Sequence, residues 1–214
     1  MLDGLPREDA RRVLAATRRR RFGRREVLFH EGEPGDSLHL IDRGRVAVRM
    51  TTPLGEVATV NVHDAGEVVG ELALLDTASR RTATVVALEP TETLSLHRDE
   101  FTELRRQHPS VDRFLVAILA AEVRRLSHLL VEALYVPVDL RVLRRLMHVA
   151  EMYAAGSPGP TEVPLTQEEL ATLAGTSRAT VNRVLGEAEE QGALDVRRGR
   201  IVILDDALLR SRTN

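Results

Sequence analysis

From residue 31 to residue 92 the chain is broken by turn signals at intervals of about ten residues: 31-EGEPGDS, 42-DRG, 53-PLGE, 64-DAGE and 89-EPTE. Glycine and proline at this density leave no room for a long helix. Between the turns lie short runs in which apolar and polar residues alternate, 45-RVAVRM, 57-VATVNV, 83-ATVVAL and 93-TLSLH. Alternation at a period of two places one face of each run in a core. Many short strands at this spacing predict a β-barrel or a sandwich over roughly residues 20–98.

The pattern then changes. Residues 6–17, ahead of the strands, read as a short helix with proline at its start. Residues 110–135, behind them, read as one long helix. In it Val116, Leu119, Val123, Leu126 and Leu130 fall at alternating spacings of three and four. Such a seam pairs a helix with its own copy in a second subunit, or packs it on its own barrel. Phe114, Leu115 and Ile118 supply a second apolar face, so the helix can do both. Asp139 is placed to cap a further helix over 140–154, which stops at 156-GSPGP. The rest is a compact tail of helices and two short strands. The expected class is α+β, with a β-barrel effector domain over 1–108, a dimerisation helix over 109–136 and a second domain over 137–214.

Cysteine is absent from the 214 residues, which excludes disulfides, thiolate zinc sites and cysteine-ligated iron–sulfur clusters and suits a reducing cytoplasm. The N-terminal MLDGLPREDARRVL has no apolar core of a signal peptide, and no apolar run reaches membrane-spanning length. No nucleophile–base pairing, clustered metal ligands or P-loop is visible, so no catalytic residue and no metal is expected. Net charge is only −2, and all 30 basic residues are arginine. Every cation can therefore make forked contacts to carboxylate or phosphate.

The tail contains 165-LTQEELATLAGTSRATVNRVLGEAEEQGAL-194, a helix, a turn through Gly175 and a second helix. Thr166 with Glu169 three residues on is a capping-box pattern, and the second helix starts at Ser177. Leu170, Leu173, Ala174, Val181, Val184 and Leu185 glue the two helices together. This is helix-turn-helix spacing. Arg178 and Arg183 can then reach guanine edges in a major groove. Ser177, Thr180 and Asn182 are left with them to be sorted by face, and Ser177 and Thr180, with the helix N-terminus, suit phosphate. The strands 193-ALDVR and 200-RIVIL flank an Arg-Arg-Gly turn, and with Arg197, Arg198 and Arg200 they form a basic wing. An αα-hairpin with solvated arginines is the plainer alternative.

Taken together, 32-GEPGDSLHLIDRGRV-46, 70-GELALLDTASRRTA-83, the long helix and 175-GTSRATVNRVL-185 resemble the CRP/FNR family of bacterial transcription regulators over nearly the whole chain. The resemblance implies a homodimer that binds pseudo-palindromic double-stranded DNA and contacts RNA polymerase. It implies that the loop over 70–82 is a phosphate-binding cassette for cyclic AMP or a similar effector. Gly70, Leu72 and Ala73 would approach the ligand with backbone, Glu71 would accept from the ribose 2′-hydroxyl, and Arg81 and Thr82 would bind the cyclic phosphate. The plainer alternative pairs Glu71 with Arg81 across the loop.

Three departures stand out. Where nucleotide-sensing members place an arginine near the ribose-binding glutamate and a threonine facing the base, this chain has Glu122 and Leu126; only Ser127 matches. Glu71 and Glu122 would then repel unless Arg80 or Arg125 intervenes. Ala179 follows Arg178 where the family's commonest reader has glutamate, which changes the preference at that base pair. Pro137 precedes Asp139 at the hinge, 136-VPVDLRV-142. His39, His63, His97 and His128 lack ligand spacing for haem. A constitutive, ligand-free regulator of the same family therefore stays open, as does a cyclic-nucleotide-binding module of an enzyme or channel.

Overall fold

A computed structural model describes residues 6–75, 80–154 and 159–213. Residues 76–79 of the cassette loop, residues 156–158 of the expected helix stop, and both chain ends lie outside them.

Contacts divide the chain into two compact units. One runs to Val57 and resumes over Asn61–Ser127; the other takes in Ala58–Val60 and everything from His128. In the first, α1 (Arg7–Ala15) precedes β1 (Arg18–Phe22), β2 (Val27–Phe29), β3 (Ser37–Arg43), β4 (Val46–Thr51), β5 (Val57–His63) and β6 (Val68–Val69). A four-residue 3₁₀ turn, Glu71–Leu74, leads towards β7 (Thr84–Ala87) and β8 (Thr91–His97), then α2 (Arg98–Gln107) and α3 (Asp112–Tyr135). The strands form two four-stranded antiparallel sheets, ordered β1-β8-β3-β6 and β2-β7-β4-β5. This is a jelly-roll-like pair of sheets, not a closed barrel.

Phe29, Val46 and Val85 from one sheet meet Ile41 and Val69 from the other to form the core between them. The far face of the first sheet presents Leu38, Val68 and Leu96 to Val13 of α1, Phe101 of α2 and Phe114, Leu115 and Ile118 of α3. Period-two alternation in β3 and β8 thus serves two cores, one per face. β1 is a strand of a different kind. Its RRRRF carries no apolar alternation, yet Arg19 pairs with Asp42 and Glu92, and Arg21 also reaches Glu92.

His39 faces the space between the sheets, where its Nδ1 lies 3.0 Å from Thr93 Oγ1. Burial holds the imidazole neutral, the Arg81 and Arg20 charges push the same way, and its pKa falls from 6.5 to about 4. The unfolded chain therefore takes up this proton first. Stability is whole above the unfolded pKa, declines as the pH drops from about 6.5 towards 4, and the loss approaches about 3 kcal/mol below that. Urea midpoints measured between about pH 7 and pH 4 are expected to fall, and His39→Gln is expected to flatten that part of the curve.

α3 is anchored at its start. Phe114, Leu115 and Ile118 are buried, and Leu119 packs against the same core. Val116, Val123, Leu126 and Leu130 are exposed, as are Val131, Leu134 and Tyr135. The two apolar faces expected of this helix are both present, with Leu119 on the core side.

The second unit contains α4 (Val138–Tyr153), β9 (Thr161–Val163), α5 (Gln167–Ala174), α6 (Arg178–Glu190), β10 (Leu194–Arg197), β11 (Arg200–Ile203) and α7 (Asp206–Thr213). Its sheet runs β10-β11-β9. Pro137, not Asp139, is the N-cap of α4. The helix starts two residues earlier than the capping aspartate would place it, because proline's fixed φ suits that boundary. Asp139 lies inside the first turn. At α5 the capping box forms as expected: Thr166 Oγ1 accepts from Glu169 N at 3.1 Å, and Glu169 Oε2 accepts from Thr166 N at 2.8 Å. Gly175 then ends α5 at φ 61°, the left-handed C-cap that glycine favours.

Candidate functional site

Two groups of expected site residues stand in different units. In the first unit, Gly70 takes φ 77° and starts the 3₁₀ turn. A Cβ there would sit 2.4 Å from Arg81 Nη1 and 3.3 Å from the Phe29 ring. Glycine is thus required both by its dihedral and by the guanidinium against it. The Arg81 backbone is pinned to the β2–β3 turn, its N–H donating to Glu33 O and its carbonyl accepting from Gly32 N, each at 2.8 Å. Its side chain is buried. Nη1 donates to Ser37 O at 2.6 Å and Gly70 O at 3.3 Å, and Nη2 to Ser37 Oγ at 3.2 Å. The guanidinium carbon lies 4.0 Å from the Phe29 ring centroid. Asp36 is the nearest carboxylate partner at 3.7 Å. Nε has no hydrogen-bond partner among the described residues. Burial pulls the Arg81 pKa down, with Asp36 opposing, but an arginine remains charged.

Glu71 does not form an ion pair with Arg81 among the described residues. Burial raises its pKa, and the neighbouring Glu122 charge adds to the rise. Glu122 is itself held low by the Arg125 guanidinium, which grips its carboxylate through Nε at 2.8 Å and through Nη2. Arg125 is the intervening arginine; Arg80 instead donates to Gly32 O at 2.7 Å. Ala73 is buried, Leu72 and Thr82 are exposed, and Ser127 is exposed with its hydroxyl donated to Val123 O at 2.9 Å. A cavity of about 630 Å³ between the sheets reaches Arg81, with Phe22, Phe29, Ser37 and His39 also in its wall. No other described residue of the expected cassette lines it.

Residue patterns alone did not single out Ser37, Phe29 or Arg98. Ser37 and Phe29 hold the Arg81 guanidinium. Arg98 ties the 3₁₀ turn down, donating from Nε to Ala73 O at 2.6 Å and from Nη2 to Gly35 O. The 35-GDS signal before β3 marked the turn and nothing more. Arg98 offered no signal at all, since it looks like one of many surface arginines.

In the second unit, α6 divides cleanly. Val181, Val184, Leu185 and Ala188 are buried against the unit, and Arg178, Asn182 and Arg183 are exposed. Leu170 and Ala174 of α5 are buried as expected, and Leu173 is half-buried. Ser177 is the N-cap of α6. Its Oγ accepts from Thr180 N at 3.2 Å and lies 3.0 Å from Thr180 Oγ1, so both hydroxyls have work within the helix. Arg178, Asn182 and Arg198 make no hydrogen bond or ion pair among the described residues. A groove of about 510 Å³ is lined by Gln167, Arg178, Arg197, Arg198 and Gly199. It joins the starts of α5 and α6 to the β10–β11 turn. Arg197 is paired with Asp195 at 2.7 Å, and Arg200 with Glu162 at 3.0 Å. Arg183 donates to Glu187 at 2.8 Å and also to Asp139.

Comparison with known proteins covers both units. Residues 19–108 match the cyclic nucleotide-binding domain, and residues 140–212 match the Crp-like helix-turn-helix domain. The chain is 30% identical over 188 residues to a CRP-like cAMP-activated global transcriptional regulator of Mycobacterium tuberculosis, covering 87% of this chain and 83% of that one. It is 32% identical over 209 residues to the cyclic AMP receptor protein of Thermus thermophilus, covering 98% and 94%. In structure it is similar to the c-di-GMP responsive global regulator CLP of Xanthomonas campestris, at a TM-score of 0.76 and 24% identity, covering 93% and 99%. The relatives are transcription regulators and not enzymes.

Proposed function

The chain belongs to the CRP/FNR family of transcription regulators, and on that premise we propose that it is a homodimer whose paired α6 helices read double-stranded DNA under the control of a cyclic nucleotide. The observation that carries the DNA half is the division of α6. Its apolar side is spent inside the unit, which leaves Arg178, Asn182 and Arg183 on the outer side, beside a groove walled by Arg197 and Arg198. Arginine forks match guanine O6 and N7, and the wing arginines match phosphate. In a two-fold dimer two such helices address half-sites one helical turn apart, about 34 Å. The exposed apolar stripe of α3 supports the dimer.

Support for the ligand half is the cassette geometry together with relatives that answer to cyclic AMP. Gly70 and Arg81 are in contact, and Arg81 Nε is without a hydrogen-bond partner among the described residues. An arginine fork meets two oxygens of a cyclic phosphodiester. At the base end Leu126 faces solvent and Glu122 is occupied by Arg125. Cyclic AMP would there have to be read through Ser127 of one or both subunits. RNA polymerase contact is part of the same proposal.

The test begins with selection of duplexes from a random-sequence pool by the purified protein, with and without cyclic AMP. A two-fold symmetric site is expected. Arg178→Ala should weaken binding by about 1–3 kcal/mol per half-site and relax the preference at one base pair of each. Recovery of no symmetric site in either condition would refute the proposal. Recovery without nucleotide dependence would instead favour a constitutive regulator.

A further inference from the structure

The two arginines on the outer side of α6 are not equally available. Arg178 has no partner among the described residues, whereas Arg183 is held from two sides, by Glu187 one turn further along α6 and by Asp139 in the first turn of α4. Both terminal nitrogens of its guanidinium are engaged. The fold does not need the Asp139 pair, because both side chains are about half exposed and each helix buries its own apolar face. A carboxylate, however, presents to an arginine the same pair of acceptor oxygens as a phosphate does, and the same fork geometry as guanine O6 and N7.

We infer that Asp139 is an intramolecular competitor for Arg183 and sets the affinity of this winged helix for DNA from the hinge side. The inference rests on α6 being the DNA-reading helix. When DNA binds, Arg183 must exchange one acceptor for another, so its net contribution is smaller than that of Arg178. The Asp139 carboxylate also leaves a negative charge beside the bound duplex, reducing the number of counterions the protein displaces.

The experiment uses the full-length dimer and a fluorescent duplex recovered from the random pool. Wild type, Asp139→Asn, Arg183→Ala and the double variant are compared by anisotropy over a range of salt concentrations. Asp139→Asn is expected to bind about two- to five-fold tighter per half-site. Its log–log salt slope should be steeper by up to about 0.9 per half-site. In the Arg183→Ala background the same change should have no effect. Unchanged or weaker binding by Asp139→Asn, in a protein that Arg183→Ala weakens, would overturn the inference and leave the DNA-reading assignment intact. A gain that survives in the double variant would also overturn it, since Asp139 would then act by repelling phosphate directly. No loss on Arg183→Ala alone would remove Arg183 from the interface, and the competition with it.

Discussion

Phe114→Ala is expected to lower the unfolding free energy of the β-sheet unit by about 3–5 kcal/mol. Phe114 is 2% exposed and sits where α1, α2 and the start of α3 close over the outer face of the first sheet. Its removal opens a cavity in the buried cluster that also holds Leu38, Leu96, Phe101 and Val111, residues fixed in strands or in other helical turns. Close-packed interiors do not collapse to fill such a space. The measurement is urea denaturation followed by far-ultraviolet circular dichroism. Phe114→Leu, which keeps most of the volume, should recover more than half of the loss. Val116→Ala, two residues along and 63% exposed, should leave the stability of the isolated subunit within about 0.5 kcal/mol. A loss of less than about 1 kcal/mol for Phe114→Ala would mean that α3 is not fastened to this unit through its first turns.

Arg81→Ala is expected to weaken cyclic AMP binding at least about 100-fold, the loss of a charge-assisted fork on a phosphate. Titration calorimetry on nucleotide-free protein reads it directly. Arg81→Lys keeps the charge and loses the fork, so an intermediate loss of about ten-fold is expected. Gly70→Ala should reproduce the defect without touching the arginine. Its new Cβ would lie 2.4 Å from Nη1, and Phe29 blocks retreat on one side. Arg81 is structural as well, since it satisfies Ser37 O, so each variant is first checked for an unchanged thermal transition. Wild-type affinity in both Arg81→Ala and Gly70→Ala would dispose of the cassette. No binding by the wild type would point to Glu122 and Leu126 as the residues that closed the site to this nucleotide.

Elements with local signatures were legible in the sequence. The turn glycines, the alternating β4, β5, β7 and β8, the capping box at Thr166 and the Ser177 N-cap each follow from residues within one turn of one another. β1 was not legible, because a strand of four arginines is held by carboxylates that come from β3 and β8, far along the chain. α2 and α7 are short and charged and depend on the surfaces that they cover. At the cassette the sequence offered Gly70, Glu71 and Arg81 but not the groups that hold them. Ser37 accepts through its carbonyl as well as its hydroxyl, and Arg98 donates to the carbonyls of Ala73 and Gly35; a hydrogen bond to a carbonyl leaves no residue-type signal at the accepting end. Arg183 was legible as a candidate DNA contact; that Asp139 holds it depends on the packing of α4 beside α6.

The uncovered side of α3 carries Val123, Leu126, Leu130, Val131 and Leu134 in the open. If the stripe pairs two subunits as proposed, the protein's own abundance becomes one of its inputs. In the proposed homodimer, where pairing would bury the stripe of the folded chain, mass action would tie folding to pairing, and the melting temperature should climb with protein concentration. A cell that halves its supply of this chain would then lose more than half of its paired form, and occupancy at weak promoter sites would fall before occupancy at strong ones.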